Sequence, residues 1–252
     1  MGTIQFSSVC KTYPGGILAL ENVDFTVGEG EFVALLGPSG CGKSTLLNLI
    51  AGFETLSDGR MSFNGNRVTK PGPDRGVVFQ EASLLPWLNV WENVVFGPKV
   101  QKTPREIYEP RAREILRIMG LEKFHETLPV QLSGGMRQRV GIARALVMQP
   151  KALLMDEPFG ALDAQTRLSM QELLLDIWQS LKTTVLFVTH DIDEAILLAD
   201  RVCVMTARPG RITRDIRIDL PRPRSIDTLT SSEFTTYKAM IMAEMRGLHA
   251  HH

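Results

Sequence analysis

Two textures alternate along this chain. Runs of alternating apolar and polar residues come first, in "TIQFSSV" and "VDFTV", and recur in "RMSFNG", each bounded by Gly, Asn or Asp. Successive side chains of a strand point to opposite faces, so these runs predict half-buried strands of an antiparallel layer. A second set is apolar throughout: "EFVALLG" (31–37), "RGVVF" (75–79), "KALLM" (151–155) and "TVLFVTH" (184–190). Strands covered on both faces have this composition, which predicts a largely parallel, buried sheet. Helical segments fall between them, and the alternation makes the fold class α/β. From Leu84 to about Pro150 the texture is charged and helical, and 84–150 is read as a helical insert within the core. There "PREIYEPRAREILRIMG" spaces Ile107, Ile115, Leu116 and Met119 along a helix, with Gly120 as its C-terminal stop. A strand-like "RITRDIRIDL" and a helix near 231–247 follow in a short C-terminal extension, 207–252. With no internal repeat, 1–252 is expected to form one domain.

Composition narrows the partners. Of the 252 residues, Lys plus Arg and Asp plus Glu each number 28. The basic excess or stripe of a nucleic-acid binder is missing, so no nucleic-acid partner is expected. No apolar run approaches the roughly 18–20 residues that span a bilayer. The opening "MGTIQFSSVC" lacks the layout of a secretory signal. Cys10, Cys41 and Cys203 fit neither a metal spacing nor a disulfide framework, which suits a reducing cytosol. The ending "HAHH" reads equally well as an appended tag, so His249, His251 and His252 are not taken as metal ligands.

The chemistry is concentrated in a few turns. "GPSGCGKST" (37–45) follows a predicted strand and opens a helix, the context of a phosphate-binding loop. Gly37, Pro38, Ser39, Gly40, Cys41, Gly42 and Thr45 supply its curled backbone. Lys43 neutralises β- and γ-phosphates, and Ser44 can ligate Mg²⁺. Cys41 has two readings: a thiol made oxidisable by the helix N-terminus, or a small side chain turned away from the phosphates. "KALLMDEP" ends a strand in two carboxylates, where acids face a ligand crevice. Asp156 is placed there to hold Mg²⁺ through water, and Glu157 to polarise a water for attack on the γ-phosphate. His190 ends a neighbouring strand and can reach the γ-phosphate or that water. Gln80 ends "RGVVFQ" as a metal or water ligand, and Tyr13 in "KTYPGG" can stack on adenine or stand as a bare surface aromatic. "LSGGMRQRV" (132–140) is a second glycine turn before a helix, an anion site without a Lys.

The ordered set "GPSGCGKST", "VVFQ", "LSGGMRQRV", "ALLMDEP", "GALD" and "VTHD" resembles the ATP-binding subunit of ABC transporters across nearly the whole chain. The resemblance implies a P-loop NTPase core with ATP and Mg²⁺ as cofactors, and an ATPase activity. It also implies a head-to-tail pair of subunits, identical in the economical case of intact motifs; each ATP is then held between one phosphate loop and the partner's signature turn. Ser133, Gly134 and Gly135 would hold the partner's γ-phosphate, and Asp163 in "GALD" would cross the interface. Gly160 stands where Ser is common in the family. Tyr13 matches the adenine-stacking aromatic and His190 the switch histidine.

"VFQEASLLPWLNVWENVVFG", "DEPFGALDAQTR", "VTHDIDEAILLADRV" and "LPRPR" are similar to the nitrate, sulfonate and taurine importer branch. That branch implies a separate permease, an indirect link to a substrate-binding protein, and a peripheral place on the cytoplasmic face of the inner or plasma membrane. The apolar "SLLPWLNVWENV" (83–94) reads either as helix core or as a groove near Leu84, Leu85 and Trp87 for a permease helix. Two other functions compete with a transport motor. A soluble ABC ATPase of translation or repair would be expected to carry two ATPase domains or long coiled-coil inserts. A nucleotide-gated module without hydrolysis would not need Glu157 and His190.

Overall fold

The structure, a computed structural model, describes residues 2–249. The chain begins with β1 (Ile4–Tyr13), β2 (Ile17–Val27) and β3 (Phe32–Leu36), then α1 (Lys43–Ala51), β4 (Asp58–Phe63), β5 (Asn66–Arg67) and β6 (Arg75–Val78). The helices α2 (Val90–Val100), α3 (Arg105–Ile118) and α4 (Gly134–Leu146) follow, and then β7 (Ala152–Asp156) and α5 (Ala164–Leu181). The last elements are β8 (Thr184–Thr189), α6 (Ile192–Leu198), β9 (Arg201–Met205), β10 (Ile212–Arg217) and α7 (Ser232–His249). His251 and His252 lie outside the described residues, as does any side-chain placement of His249.

Two sheets form. An antiparallel sheet runs in the order β2-β1-β4-β5, and a second runs β10-β9-β3-β8-β7-β6, parallel except for β10. The continuously apolar strands divide their side chains between two cores by simple alternation. On one face Val33 and Leu35 of β3 and Leu186 and Val188 of β8 pack with Leu46, Leu49 and Ile50 of α1 and with Ile4, Phe6 and Phe25 of the antiparallel sheet. On the other, Phe32, Ala34 and Phe187 meet the helices, including Trp178 of α5 and Val140 of α4. Full burial of each such Val, Leu or Phe contributes roughly 1.5–3 kcal/mol, which is why both faces must be covered.

Two readings of the sequence change here. Ile107 is not on the buried face of α3; it is 49% exposed, and Tyr108, Ala112 and Leu116 are the buried residues. The face is shifted by one position because Tyr108, not Ile107, falls in line with Ala112 and Leu116 at helical spacing. The strand β9 was not anticipated. Its run "RVCVM" follows α6 after only a short break, and so short an apolar stretch reads equally well as the end of that helix. Gly120 follows the C-cap Met119 with φ of +66°, the left-handed stop expected of it.

Candidate functional site

The carboxyl ends of β3, β6, β7 and β8 lie together because these strands are parallel, and the segments leaving β3, β6 and β7 border a cavity of about 820 Å³. Between β3 and α1 the chain turns sharply, with Gly40 and Gly42 at φ of +79° and +94°, a region costly for any residue with a Cβ. Ser39, Gly40, Gly42, Lys43, Ser44 and Thr45 line the cavity, but Gly37, Pro38 and Cys41 do not. The first two turn their carbonyls to the Lys43 ammonium, which donates to Gly37 O at 2.8 Å and to Pro38 O at 3.1 Å. Cys41 is fully buried. Burial pushes its thiol pKa up, with Lys43 only partly opposing, and the side chain stands away from the cavity, which favours the reading of a small packed side chain.

β7 delivers both carboxylates. Asp156 Oδ1 accepts a hydrogen bond from Ser44 Oγ at 3.0 Å, which brings the strand end onto the first turn of α1. Burial raises the Asp156 pKa, the Ser44 bond opposes it, and the neighbouring Glu157 charge adds to it. Glu157 has φ of +43°, an uncommon backbone for a non-glycine residue, and this bend carries its carboxylate towards the end of β8. There His190 Nδ1 lies 2.9 Å from Glu157 Oε2. His190 does not itself line the large cavity and is joined to it through Glu157. Gln80 does line it, and a Cβ at Gly160 would stand 3.3 Å from the Gln80 amide nitrogen. Tyr13 borders the cavity with its hydroxyl 3.4 Å from Thr45 Oγ1.

The second glycine turn is elsewhere. Ser133, Gly134, Gly135 and Asp163 are absent from the cavity wall but are brought to one another. Ser133 caps α4 through Met136 N–H at 3.3 Å, and Asp163 caps α5 through Thr166 N–H at 3.0 Å. Hydrogen bonds from Thr166 hold the Asp163 carboxyl below its ordinary pKa. A Cβ on Gly135 would lie 2.5 Å from Thr166 Cγ2, so the two helix starts abut.

Several contributors were not legible in the sequence. Ile17, Leu18, Ala19, Arg208 and Pro209 also line the cavity. The Arg208 loop is fixed there by Gly210 N–H donating to Ala19 O at 2.9 Å and Glu21 N–H to Gly210 O at 3.1 Å. "RPG" announces a turn, but no local signal says where that turn lands. The segment after Gln80 is pinned by polar side chains: Gln138 of α4 donates to Phe79 O at 3.1 Å, and Arg144 to Ser83 O and Ala82 O at 2.8 and 2.9 Å. Buried Asn93 donates to Leu85 O and Leu88 O and accepts from Leu85 N–H. On this pinned loop Trp87 is 72% exposed, whereas Leu84 and Trp91 pack against the core. Among the described residues no group of three or more His, Cys, Asp or Glu is placed to hold a metal, and no helix is long and apolar enough to cross a membrane.

Comparison with known proteins agrees with this geometry. Residues 20–160 match the ABC transporter family. The chain is 51% identical over 218 residues to the taurine import ATP-binding protein TauB of Burkholderia pseudomallei, covering 86% of this chain and 84% of the relative. It is 48% identical over 239 residues to the nitrate import ATP-binding protein NrtD of Synechocystis, covering 92% and 90%. Among solved structures it resembles a dimeric ATP-binding cassette in a post-hydrolysis state bound to ADP and Pi. That likeness has a TM-score of 0.74 and 35% identity, covering 86% of this chain and 100% of the other.

Proposed function

The chain belongs to the ABC transporter family as an ATP-binding, ATP-hydrolysing subunit, and from that premise we propose that it is the motor of an importer, coupling ATP-driven pairing of two such subunits to solute uptake through a separate permease. The solute class is taken from the names of its relatives, taurine and nitrate, and extends to sulfonates or a related small solute. What supports the reading most is a division of labour. The acids and the Lys converge on one crevice, with the His joined to it through Glu157, while the signature turn of the same chain stands outside it. A chain built this way needs a second copy to complete its site.

In this reading Lys43 and the N–H groups of residues 39–45 hold the phosphates, and Tyr13 stacks on the adenine. Ser44 and Asp156, with Gln80 opposite, offer hard oxygen donors, and one carboxylate beside a hydroxyl is what Mg²⁺ takes when phosphates complete its shell. Held by these residues, Mg²⁺ would supply neutralisation of the phosphate charge. Glu157 accepts a proton from water as the water oxygen bonds to the γ-phosphorus. The bond from that phosphorus to the β–γ bridging oxygen breaks, and ADP and phosphate leave. His190, 2.9 Å from Glu157, orients the base and reaches the γ-phosphate. Ser133, Gly134 and Gly135 close on the partner's nucleotide, and Asp163 crosses the interface. The Trp87 loop, held to α4 beside Gln80, receives a cytoplasmic helix of the permease and seats the subunit peripherally on the cytoplasmic face of the membrane.

The test is Glu157→Gln, followed by size exclusion in Mg-free ATP and by phosphate release. Turnover is expected to fall about 10²–10⁴-fold, with ATP driving the variant into a dimer. With the permease co-expressed, adding Trp87→Ala should abolish co-purification and leave ATP binding intact. Turnover that survives Glu157→Gln, or a monomer that persists even with the permease, would overturn the reading.

A further inference from the structure

Glu194, in the first turn of α6, is a buried carboxylate that the scheme above does not use. It is 5% exposed. One oxygen accepts from Gln171 Nε2 of α5 at 3.0 Å and the other from Thr189 Oγ1, at the end of β8, at 2.7 Å. The Thr189 hydroxyl in turn accepts from Asp191 N–H at 3.0 Å. That bond closes a small ring around residue 190, so the backbone on both sides of His190 is fixed by one hydroxyl whose own orientation is set by Glu194. The His190 ring then stands 2.9 Å from Glu157. Nearby, Arg167 of α5 donates to Leu162 O at 3.0 Å, and its guanidinium lies 3.8 Å from Asp191. Glu157, His190, Thr189 and Glu194 share the wall of a void of about 20 Å³, room for a single water.

An apolar side chain would seat α5 against β8 without the cost of burying a carboxyl. What a carboxylate adds is direction, because each oxygen must meet a donor. Burial pushes the Glu194 pKa up, and the Thr189 and Gln171 hydrogen bonds pull against that. Resting on the function proposed above, we propose that Glu194 is a positioning residue: it clasps α5 to the end of β8 and thereby holds His190 in hydrogen-bonding register with Glu157. Since α5 begins at Asp163, the clasp links the partner-facing turn to the hydrolytic pair.

The experiment measures kcat and KM for ATP in the full chain carrying Glu194→Ala, Glu194→Gln or, as a control, Leu175→Ala, which truncates a buried residue of the same helix. Glu194→Ala should lower kcat about ten- to hundredfold, since small misplacements at a reacting centre have effects of that size, with KM within about twofold. Glu194→Gln should recover most of kcat, because the Gln171 amide can rotate to offer its oxygen. Leu175→Ala should lower Tm while sparing kcat. The ¹⁵N shift of His190 Nδ1, assigned with His190→Ala, should move in Glu194→Ala and stay in Leu175→Ala. Equal kcat in the Glu194→Ala and Leu175→Ala proteins, or an unmoved His190 resonance, overturns the clasp. If Glu194→Ala does not fold, Gln171→Met removes one arm only, and a wild-type kcat in that variant overturns it equally. An inactive wild type overturns the functional reading itself and the clasp with it, an outcome distinct from an active wild type matched by its variants.

Discussion

The two glycine turns of this molecule look alike in sequence and differ in how they are built. The phosphate loop uses Gly40 and Gly42 for their left-handed backbone, and Gly42 caps α1 with no side-chain bond. Its cation is folded in, since Lys43 is 5% exposed and bound to the loop's own carbonyls. The signature turn has neither feature. Ser133 caps α4 with its hydroxyl, and neither Gly134 nor Gly135 has a positive φ. Gly135 is required because α5 comes too close for a Cβ. At Gly134 a Cβ would meet nothing nearer than Leu162 Cδ2 at 3.7 Å, an ordinary contact. Nothing among the described residues calls for that glycine. A residue with no internal reason to be small, at an exposed helix start rich in free N–H groups, is what an external anion would require.

The sharpest way to break the comparison is Lys43→Ala. Losing one partner of a buried, hydrogen-bonded charge contact costs about 2–5 kcal/mol, so Kd for ATP should rise roughly thirtyfold or more by titration with a fluorescent nucleotide. Unchanged affinity would mean the crevice does not bind phosphates through this loop. Next comes Gly135→Ala, which forces the new methyl into a β-branched neighbour. Overpacking of this kind costs about 1–3 kcal/mol, to be read as a lower Tm, while ATP still binds the isolated subunit. The smallest effect on the fold belongs to Gly134→Ala. There the substitution should be neutral or gain about 0.4–1 kcal/mol, yet ATP-dependent dimerisation in the Glu157→Gln background should weaken. If both stability and pairing are untouched, Gly134 is not at the partner's phosphate and the contrast between the turns loses its meaning.

The cavity wall was legible in part because several of its residues sit at the ends of strands that announce themselves. Gln80, Asp156, Glu157 and His190 each follow an apolar run, Lys43 follows the glycine turn after one, and parallel strands must present their carboxyl ends together. The helix caps at Ser133, Asp163 and Asp191 emerged only with the structure, although Ser and Asp are residue types whose side chains satisfy orphan N–H groups at a helix start. Ile107 misled because periodicity alone fits two neighbouring helix faces, and only the packing of α3 selects Tyr108, Ala112 and Leu116. β9 was missed because five residues are too few for an apolar run to declare its period.

By itself, then, the order of residues determined most of the strands, the phosphate loop and the family, which rest on patterns among near neighbours in the chain. Tertiary structure alone decided that Arg208 and Leu18 border the same cavity as Lys43, and that Gln138 and Arg144 hold the loop after Gln80. It also decided that Gln171 and Thr189 share the carboxylate of Glu194. Those contacts join segments far apart in sequence, and a side chain carries no local mark of a partner that only the packing of two sheets and their helices brings within reach.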